Sequence, residues 1–321
     1  MAPTSVTRVA ILDDYQRVAL AMADWSILGS GVSVQPFHDR IGGEDAVSER
    51  LRNFDVIVAM RERTAFPGTL IERLPALKLL VTTGRRNASI DVKAASARGV
   101  VVSGTSTLAT PPVELTWGLI LSLARHIPRE SAAMRDGAWQ TTIGTGLHGK
   151  TLGVVGLGRL GTDVAKIGKA FGMHVIAWSQ NLTRDMTDPL GVELVSKQLL
   201  FQRADVVTVH LVLSDRTRGL VGEQELRSMR PTALLINTAR GPIVDEQALI
   251  HALRHSVIAG AGLDVFDEEP LPRDHPLRRL ENALLTPHLG YVTTENYRLA
   301  YGEAVDDIRG FLAGTPVRVI A

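Results

Sequence analysis

Residues 152–181 read LGVVGLGRLGTDVAKIGKAFGMHVIAWSQN, and their order decides the fold class. An apolar run, Leu152 to Val155, leads into Gly156, Gly158 and Gly161 in G-x-G-x-x-G spacing. A helical pattern follows, and then a second apolar run, His174 to Trp178. Strand, glycine turn, helix and strand in this order open a parallel βαβ unit of the kind that binds a dinucleotide, the alternative being a tight strand-to-helix turn that binds nothing. The glycines admit the pyrophosphate, and backbone amides at the helix start, around Arg159 and Leu160, face it. In an NAD site an acidic residue closes the second run and binds the ribose hydroxyls. Here that position holds Ser179, followed by Gln180 and Asn181.

Outward from this stretch the same alternation continues. TLGVVG, HVIAW, ADVVTVHL, TALLINTA, IAGAGLDV and ALLTPH read as six strands with helical patterns between most of them, a doubly wound unit of roughly 140 residues. Upstream, Val9–Leu12, Val32–Pro36, Val56–Ala59, Leu79–Thr82 and Val100–Ser103 read as strands, with helical spacing at Ser48–Phe54 and Asp91–Arg98. The STLATPP segment interrupts the pattern. Two adjacent prolines suit the first turn of a helix, so a long apolar helix is expected to start near Pro112 and run through VELTWGLILSLARHI. Thr293–Leu312 is helical in pattern and falls too late to belong to the second sheet.

Composition narrows the chemistry. The chain has 321 residues, which favours two domains, and a formal net charge of +1 without blocks of like charge, which gives no reason to expect a nucleic-acid or membrane-surface partner. It has no cysteine, which excludes thiol catalysis, disulfides and thiolate metal sites. No run approaches the ~18 apolar residues of a membrane span and the first residues lack a secretory pattern, so a cytoplasmic enzyme is expected.

Three further segments carry reactive groups at predicted strand ends, where ligands of such sheets bind. INTARGPIVDE places Asn237, Thr238 and Arg240 at one. A guanidinium there has the fork that holds a carboxylate through two hydrogen bonds, although an arginine near a strand end is more often a surface residue. AGLDVFDEEPLP carries Asp264 within the strand pattern, where it needs a partner, and an acidic turn that reads most simply as solvated. LLTPHLGYVT puts His288 just past the last strand. A carboxylate from the DEEP turn reaching His288 would keep it protonated near neutral pH, able to give a proton to a carbonyl oxygen. Arginine, acid and histidine around a nicotinamide suffice to interconvert a hydroxyacid and an oxoacid.

In the order GLGRLG, NTARGPIVDE, LDVFDEEP, TPHLG, the chain strongly resembles the D-isomer-specific 2-hydroxyacid dehydrogenases over nearly its whole length. The resemblance implies two doubly wound parallel-sheet α/β domains. A flavodoxin-like substrate domain would comprise residues 1–108 together with 289–321, and a Rossmann dinucleotide-binding domain residues 109–288. It implies catalytic roles for Arg240, Glu269 and His288, with Arg240 orienting the substrate, Glu269 paired with His288, and His288 the general acid/base. Asp264 would support the site near the nicotinamide. Cofactor contacts are expected at Gly156, Gly158, Arg159, Leu160, Gly161, Ser179, Gln180, Thr238, Asp264 and His288, and substrate contacts at Arg61, Gly84, Arg85, Arg240 and His288. No metal is expected.

Departures from the family pattern matter as well. Arg85 and Arg86 stand in TTGRRN where small residues are usual, so either an extra anion is bound or the pair faces solvent. GYVT replaces the usual GG or GGxT after the histidine, which puts Tyr291 at the pocket or at a domain boundary. Related formate dehydrogenases have a glutamine as the histidine's partner, so Glu269 favours a 2-hydroxyacid and 2-oxoacid pair. A cofactor-sensing corepressor could retain all four motifs. NAD is the expected cofactor, and the absence of an acid at Ser179 permits NADP, with Arg184 near enough in sequence to meet a 2′-phosphate. Neutral hydrogen bonding of an NAD ribose by Ser179 and Asn181 is the alternative. A homodimer is implied, formed through the apolar helix starting near Pro112.

Overall fold

The computed structural model describes residues 6–320, and within them the β-rich runs form two separate parallel sheets. The first contains β1 (Thr7–Ile11), β2 (Val32–Pro36), β3 (Val56–Ala59), β4 (Leu79–Thr82) and β5 (Val101–Gly104) in the order β2-β1-β3-β4-β5. The second contains β6 (Thr151–Val155), β7 (His174–Trp178), β8 (Glu193–Leu194), β9 (Val206–Val209), β10 (Leu234–Asn237), β11 (Gly260–Leu263) and β12 (Ala283–Leu285) in the order β12-β11-β10-β9-β6-β7-β8. These are the flavodoxin-like and the dinucleotide-binding strand orders, the latter extended by one strand. Strands buried on both faces need continuous apolar sequence, and β3 (VIVA) and β4 (LLVT) are buried at every position.

The chain divides into two compact units, one spanning Ala109–Tyr291 and the other ending at Leu108 and resuming at Val292. The resumed segment is the helix Thr294–Leu312, capped by the Thr293 side chain accepting from the Asn296 amide. It packs on the helix Ala19–Met22, the turn Trp25–Leu28 and β4, burying Tyr297, Tyr301, Val305 and Ile308. The chain then returns along β5: Val319 bridges Ser103 in antiparallel sense, and the Ile320 amide donates to the Val102 carbonyl at 2.7 Å. Asp307, on the buried face of this helix, accepts from Arg318 Nε at 2.9 Å through one oxygen, while the other is buried without a partner. Burial outweighs Arg318 and pushes this carboxyl up to about 7.

Two expectations need correction in the Ala109–Tyr291 unit. The helix that starts with Pro111 and Pro112 in its first turn spans Thr110–Ala124 and does not continue through ARHI. His126 takes a left-handed conformation (φ 51°), and a second helix, Ile127–Arg135, begins there with Pro128 in its own first turn. The apolar residues of the first helix, among them Val113, Trp117, Leu119 and Ile120, are buried within the unit against β10, β11 and the helix Arg159–Ala170. The helix Ile127–Arg135 buries no residue, and the segment after it exposes Trp139 (72%) and Ile143 (94%). The second correction is β8, an edge strand of two residues beyond β7, absent from the six strands expected.

Candidate active site

The glycine turn follows β6. Gly156 has φ 99°, which a side chain would strain, and a Cβ at Gly161 would lie 2.0 Å from the Gly156 carbonyl oxygen, so the helix Arg159–Ala170 sits directly on the turn only because Gly161 is bare. Gly158, the residue before the helix, differs: a Cβ there would meet nothing within 4 Å. The protein has no packing need for that glycine, and the space in front of the helix amides stays open. Residues Gly156 to Gly161 therefore fit a pyrophosphate, whose approach a side chain at Gly158 would obstruct.

Because all strands of this sheet are parallel, their C-terminal ends share one edge, and the strand order sets the sequence of groups along it. From one side to the other come His288 after β12, Asp264 after β11, Thr238 and Arg240 after β10, His210 after β9, Gly156 after β6 and Ser179 after β7. The strand order reverses between β6 and β9, the point at which such sheets open a crevice for a ligand.

His288 is held from several directions. Its Nδ1 lies 2.6 Å from Glu269 Oε2, and the other Glu269 oxygen accepts from the Phe266 amide at 3.1 Å. Both side chains are partly shielded, at 16% and 25% exposure, so the pair is less screened than a surface ion pair. Since Nδ1 faces a carboxylate, Nδ1 carries the proton in the neutral ring and Nε2 carries the lone pair. The backbone of His288 is left-handed (φ 55°), a conformation costly for a residue without glycine's freedom.

Asp264 offsets that cost. It follows the last residue of β11, is buried, and accepts from Thr286 Oγ1 at 2.6 Å, from the Leu289 amide at 2.7 Å and from the Gly290 amide at 2.9 Å. The donors bracket His288 on both sides, so one carboxylate ties the end of β11 to the loop after β12. Burial raises the Asp264 carboxyl above its usual range, opposed by these donors and by His288. The partner expected for Asp264 is thus three donors of one loop.

Arg240 is half-buried and extended. Its Nη1 donates to the Ala239 carbonyl at 2.7 Å, and Asn237 braces the turn by donating to the Arg240 carbonyl and accepting from the Ala239 amide. Thr238 Oγ1 lies 2.8 Å from Thr116 Oγ1, linking the end of β10 to the helix Thr110–Ala124. His210 was not singled out in the sequence, though ADVVTVHL puts it past a strand as ALLTPH does His288. It is half-buried beside the glycine turn, Nε2 is 2.9 Å from Thr208 Oγ1, and burial lowers its pKa to about 4, which leaves it neutral at pH 7. Past β7, the Leu182 amide donates to the Ser179 carbonyl, closing a turn that leaves Gln180, Asn181 and Arg184 exposed.

The remaining candidates lie in the other unit. Arg61 has φ 50°. Its amide donates to Thr83 Oγ1 at 3.0 Å, and its carbonyl accepts from Asn87 Nδ2 at 2.5 Å. A Cβ at Gly84, whose φ is 149°, would lie 2.6 Å from Arg61 Nη1, so the guanidinium rests on the bare α-carbon. Arg85 and Arg86 are exposed. Among the described residues no group of His, Asp and Glu is arranged to hold a metal ion, and no helix is long and apolar enough to cross a membrane.

The model of the D-isomer specific 2-hydroxyacid dehydrogenase NAD-binding domain matches residues 117–290, over half of the chain and from the first helix of this unit to the loop that carries His288. The chain belongs to this family. Within it, glyoxylate reductase of Aeropyrum pernix is 40% identical over 255 residues, covering 76% of this chain and 76% of that protein. D-3-phosphoglycerate dehydrogenase of Methanocaldococcus jannaschii is 38% identical over 275 residues, covering 84% of this chain; the chain spans about half (52%) of that relative's length. The crystal structure of a phosphoglycerate oxidoreductase from Vibrio cholerae superimposes with a TM-score of 0.91 at 36% identity, covering 96% of this chain and 99% of that one. The family carries a nicotinamide-dinucleotide domain, and the open turn at Gly158 fits one.

Proposed function

We propose that the protein interconverts a 2-oxoacid and a D-2-hydroxyacid, working mainly as a reductase, with NAD as cofactor and NADP tolerated. The observation that carries this reading is the 2.6 Å contact of Glu269 Oε2 with His288 Nδ1, at the same sheet edge as the glycine turn. When bound, the nicotinamide supplies the hydride in reduction and receives it in oxidation. Arg240 binds the substrate carboxylate through its guanidinium fork and polarises the adjacent carbonyl. His288 delivers the proton from Nε2 to the carbonyl oxygen, and in the reverse direction neutral Nε2 takes it from the hydroxyl. Glu269 fixes the tautomer and stabilises the imidazolium. Asp264 holds the loop that carries His288. The discontinuous unit is assigned to substrate binding, with the Arg61 to Arg85 region supplying its contacts.

Ser179 in place of an acid supports tolerance of NADP, because no carboxylate stands at the end of β7 to repel a 2′-phosphate. A homodimer is also proposed. Its contact surface is assigned to the helix Ile127–Arg135 and the exposed Trp139 and Ile143, since the helix Thr110–Ala124 spends its apolar face inside its own unit. Sedimentation of the wild type and of a Trp139→Ser, Ile143→Ser double variant tests this; a monomeric wild type refutes it.

The decisive experiment follows oxidation of NADH and of NADPH with glyoxylate, hydroxypyruvate, pyruvate and phenylpyruvate. Turnover with any of them is expected, and His288→Ala is expected to remove roughly 100-fold to 10,000-fold of it while cofactor affinity holds. Tight cofactor binding without turnover across the panel would replace the reading with a cofactor-sensing role.

A further inference from the structure

The first sheet reverses its strand order between β1 and β3, the place where a sheet of order β2-β1-β3-β4-β5 opens a crevice for a ligand. Beyond β3 the chain makes the tight turn Met60–Arg63, closed by the Arg63 amide donating to the Met60 carbonyl at 3.2 Å, with Arg61 at its left-handed corner (φ 50°). Such a backbone persists only where its surroundings fix it. On one side the loop after β4 does so: Thr83 Oγ1 accepts from the Arg61 amide, and Asn87 Nδ2 donates to the Arg61 carbonyl. On the other side the chain leaving the turn is tied to the end of β1, where Thr64 Oγ1 donates to Asp13 Oδ2 at 2.9 Å.

Asp13 is costly to place. It follows β1 after Leu12, has a left-handed backbone of its own (φ 58°) and is only 3% exposed. Burial raises its carboxyl above the usual range, opposed by the hydroxyls of Thr64 and Tyr15 and by the charges of Arg63 and Arg40. A buried carboxyl and a left-handed backbone each cost stability. Together they produce a bond that spans the crevice, from the end of β1 to the segment that carries Arg61. The second Asp13 oxygen accepts from the Tyr15 hydroxyl at 3.0 Å, a bond that stays within the loop after β1. The Arg63 guanidinium lies 5.5 Å from the centre of the Tyr15 ring, so the two loops also meet through a cation and an aromatic face.

We propose that Asp13 is a positioning residue for Arg61, resting on the substrate-binding reading of that arginine: by holding Thr64 it fixes the return of the turn and keeps the Arg61 guanidinium on the bare α-carbon of Gly84. The bond to Thr64 acts, and the bond to Tyr15 does not. A hydrogen bond of this kind is worth on the order of tenfold in the equilibrium between a fixed and a loosened turn.

The test uses full-length variants. Thr64→Val and Asp13→Ala cut the tie from its two ends, Thr64→Ser keeps it, and Tyr15→Phe removes only the bond within the loop after β1. Amide hydrogen exchange gives the first readout. Protection at Arg61 and Arg63 is expected to fall about tenfold in Thr64→Val and Asp13→Ala but not in Thr64→Ser or Tyr15→Phe, with amides of β6 unaffected throughout. Steady-state kinetics gives the second. The two cutting variants are expected to raise the KM for the 2-oxoacid about tenfold while kcat and cofactor affinity hold, and in an Arg61→Ala background neither is expected to raise it further. Unchanged protection at Arg61 and Arg63 in both cutting variants overturns the proposal. So does an unmoved KM where protection has fallen, a Thr64→Ser variant as impaired as Thr64→Val, or an effect that adds in full to that of Arg61→Ala. A parallel loss of cofactor affinity overturns it as well, because the role would then be merely structural. An unaltered KM in Arg61→Ala removes the substrate reading of Arg61 instead, and exchange in the cutting variants still decides whether Asp13 holds the turn.

Discussion

Replacing Asp264 by asparagine changes one oxygen into an amide, and the structure gives the cost. The carboxylate accepts two bonds on Oδ1, from Thr286 Oγ1 and the Leu289 amide, and one on Oδ2, from the Gly290 amide. Asparagine brings two donor hydrogens to one of these positions. Placed toward Oδ1, the NH2 is tolerated by the threonine hydroxyl, which can accept, but it faces the Leu289 amide. Placed toward Oδ2, it faces the Gly290 amide. Either rotamer therefore leaves one backbone N–H without an acceptor. The loss of a hydrogen bond to a charged group, about 1.5–3 kcal/mol, is joined by the penalty for a buried orphan donor, about 1–3 kcal/mol. Even about 3 kcal/mol of this total corresponds to roughly a hundredfold shift in the opening equilibrium of the Thr286–Gly290 loop. Amide hydrogen exchange reads that opening directly. In Asp264→Asn, protection at Leu289 and Gly290 is expected to fall by roughly a hundredfold while amides of β6 and β9 are unaffected, and kcat/KM should fall with it because His288 rides on the same loop. Undiminished protection at those two amides would refute the role assigned to Asp264, whatever happens to activity.

Three further outcomes are expected. Gly158→Ala should fold with an unchanged melting temperature and lose cofactor affinity, whereas Gly161→Ala, whose Cβ would meet the Gly156 carbonyl at 2.0 Å, should lose both; calorimetry with cofactor titration separates them, and full affinity in Gly158→Ala would remove the pyrophosphate site. Asp307 is held near 7, above its unfolded value of about 3.9, so the folded chain binds its proton more tightly and stability falls as pH rises from about 4 to about 7, then levels off. Asp307→Asn should cancel that slope, gaining up to about 4 kcal/mol at pH 8 relative to the wild type; parallel unfolding profiles from pH 4 to 8 would contradict this. Ser179→Asp should lower kcat/KM with NADPH by at least about tenfold and leave NADH nearly unaffected, and an unchanged cofactor ratio would show that the end of β7 does not meet a 2′-phosphate.

The legible parts of the fold were those governed by local pattern. The short, β-branched apolar runs VIVA at β3 and LLVT at β4 read as buried strands, and GVVGLG as a tight turn between a strand and a helix. β8 was invisible because two residues, Glu193 and Leu194, carry no period, and only their pairing with Ile176 and Ala177 makes them a strand. The break at His126 has a signal in the sequence: Pro128, two residues later, cannot continue a helix but can begin one. In the site, residue types at strand ends pointed to Arg240, Asp264 and His288. What they could not convey was the tie across the sheet edge, since Thr286, Leu289 and Gly290 meet Asp264 only after β11 and β12 have paired. The left-handed backbones of Arg61 and His288 were equally hidden, because neither residue type announces that conformation as glycine does.

The discontinuous unit has a consequence for the order in which the protein is made. Its five strands leave the ribosome ahead of the continuous unit, but Tyr297, Tyr301 and Ile308, which cover β4 and the helix Ala19–Met22, are encoded some two hundred codons later. At typical synthesis rates of roughly 5–20 residues per second, the first sheet waits on the order of ten to forty seconds for its last helix, while the whole continuous unit emerges and can close. Of the two units, the one whose strands are translated first is the one completed second.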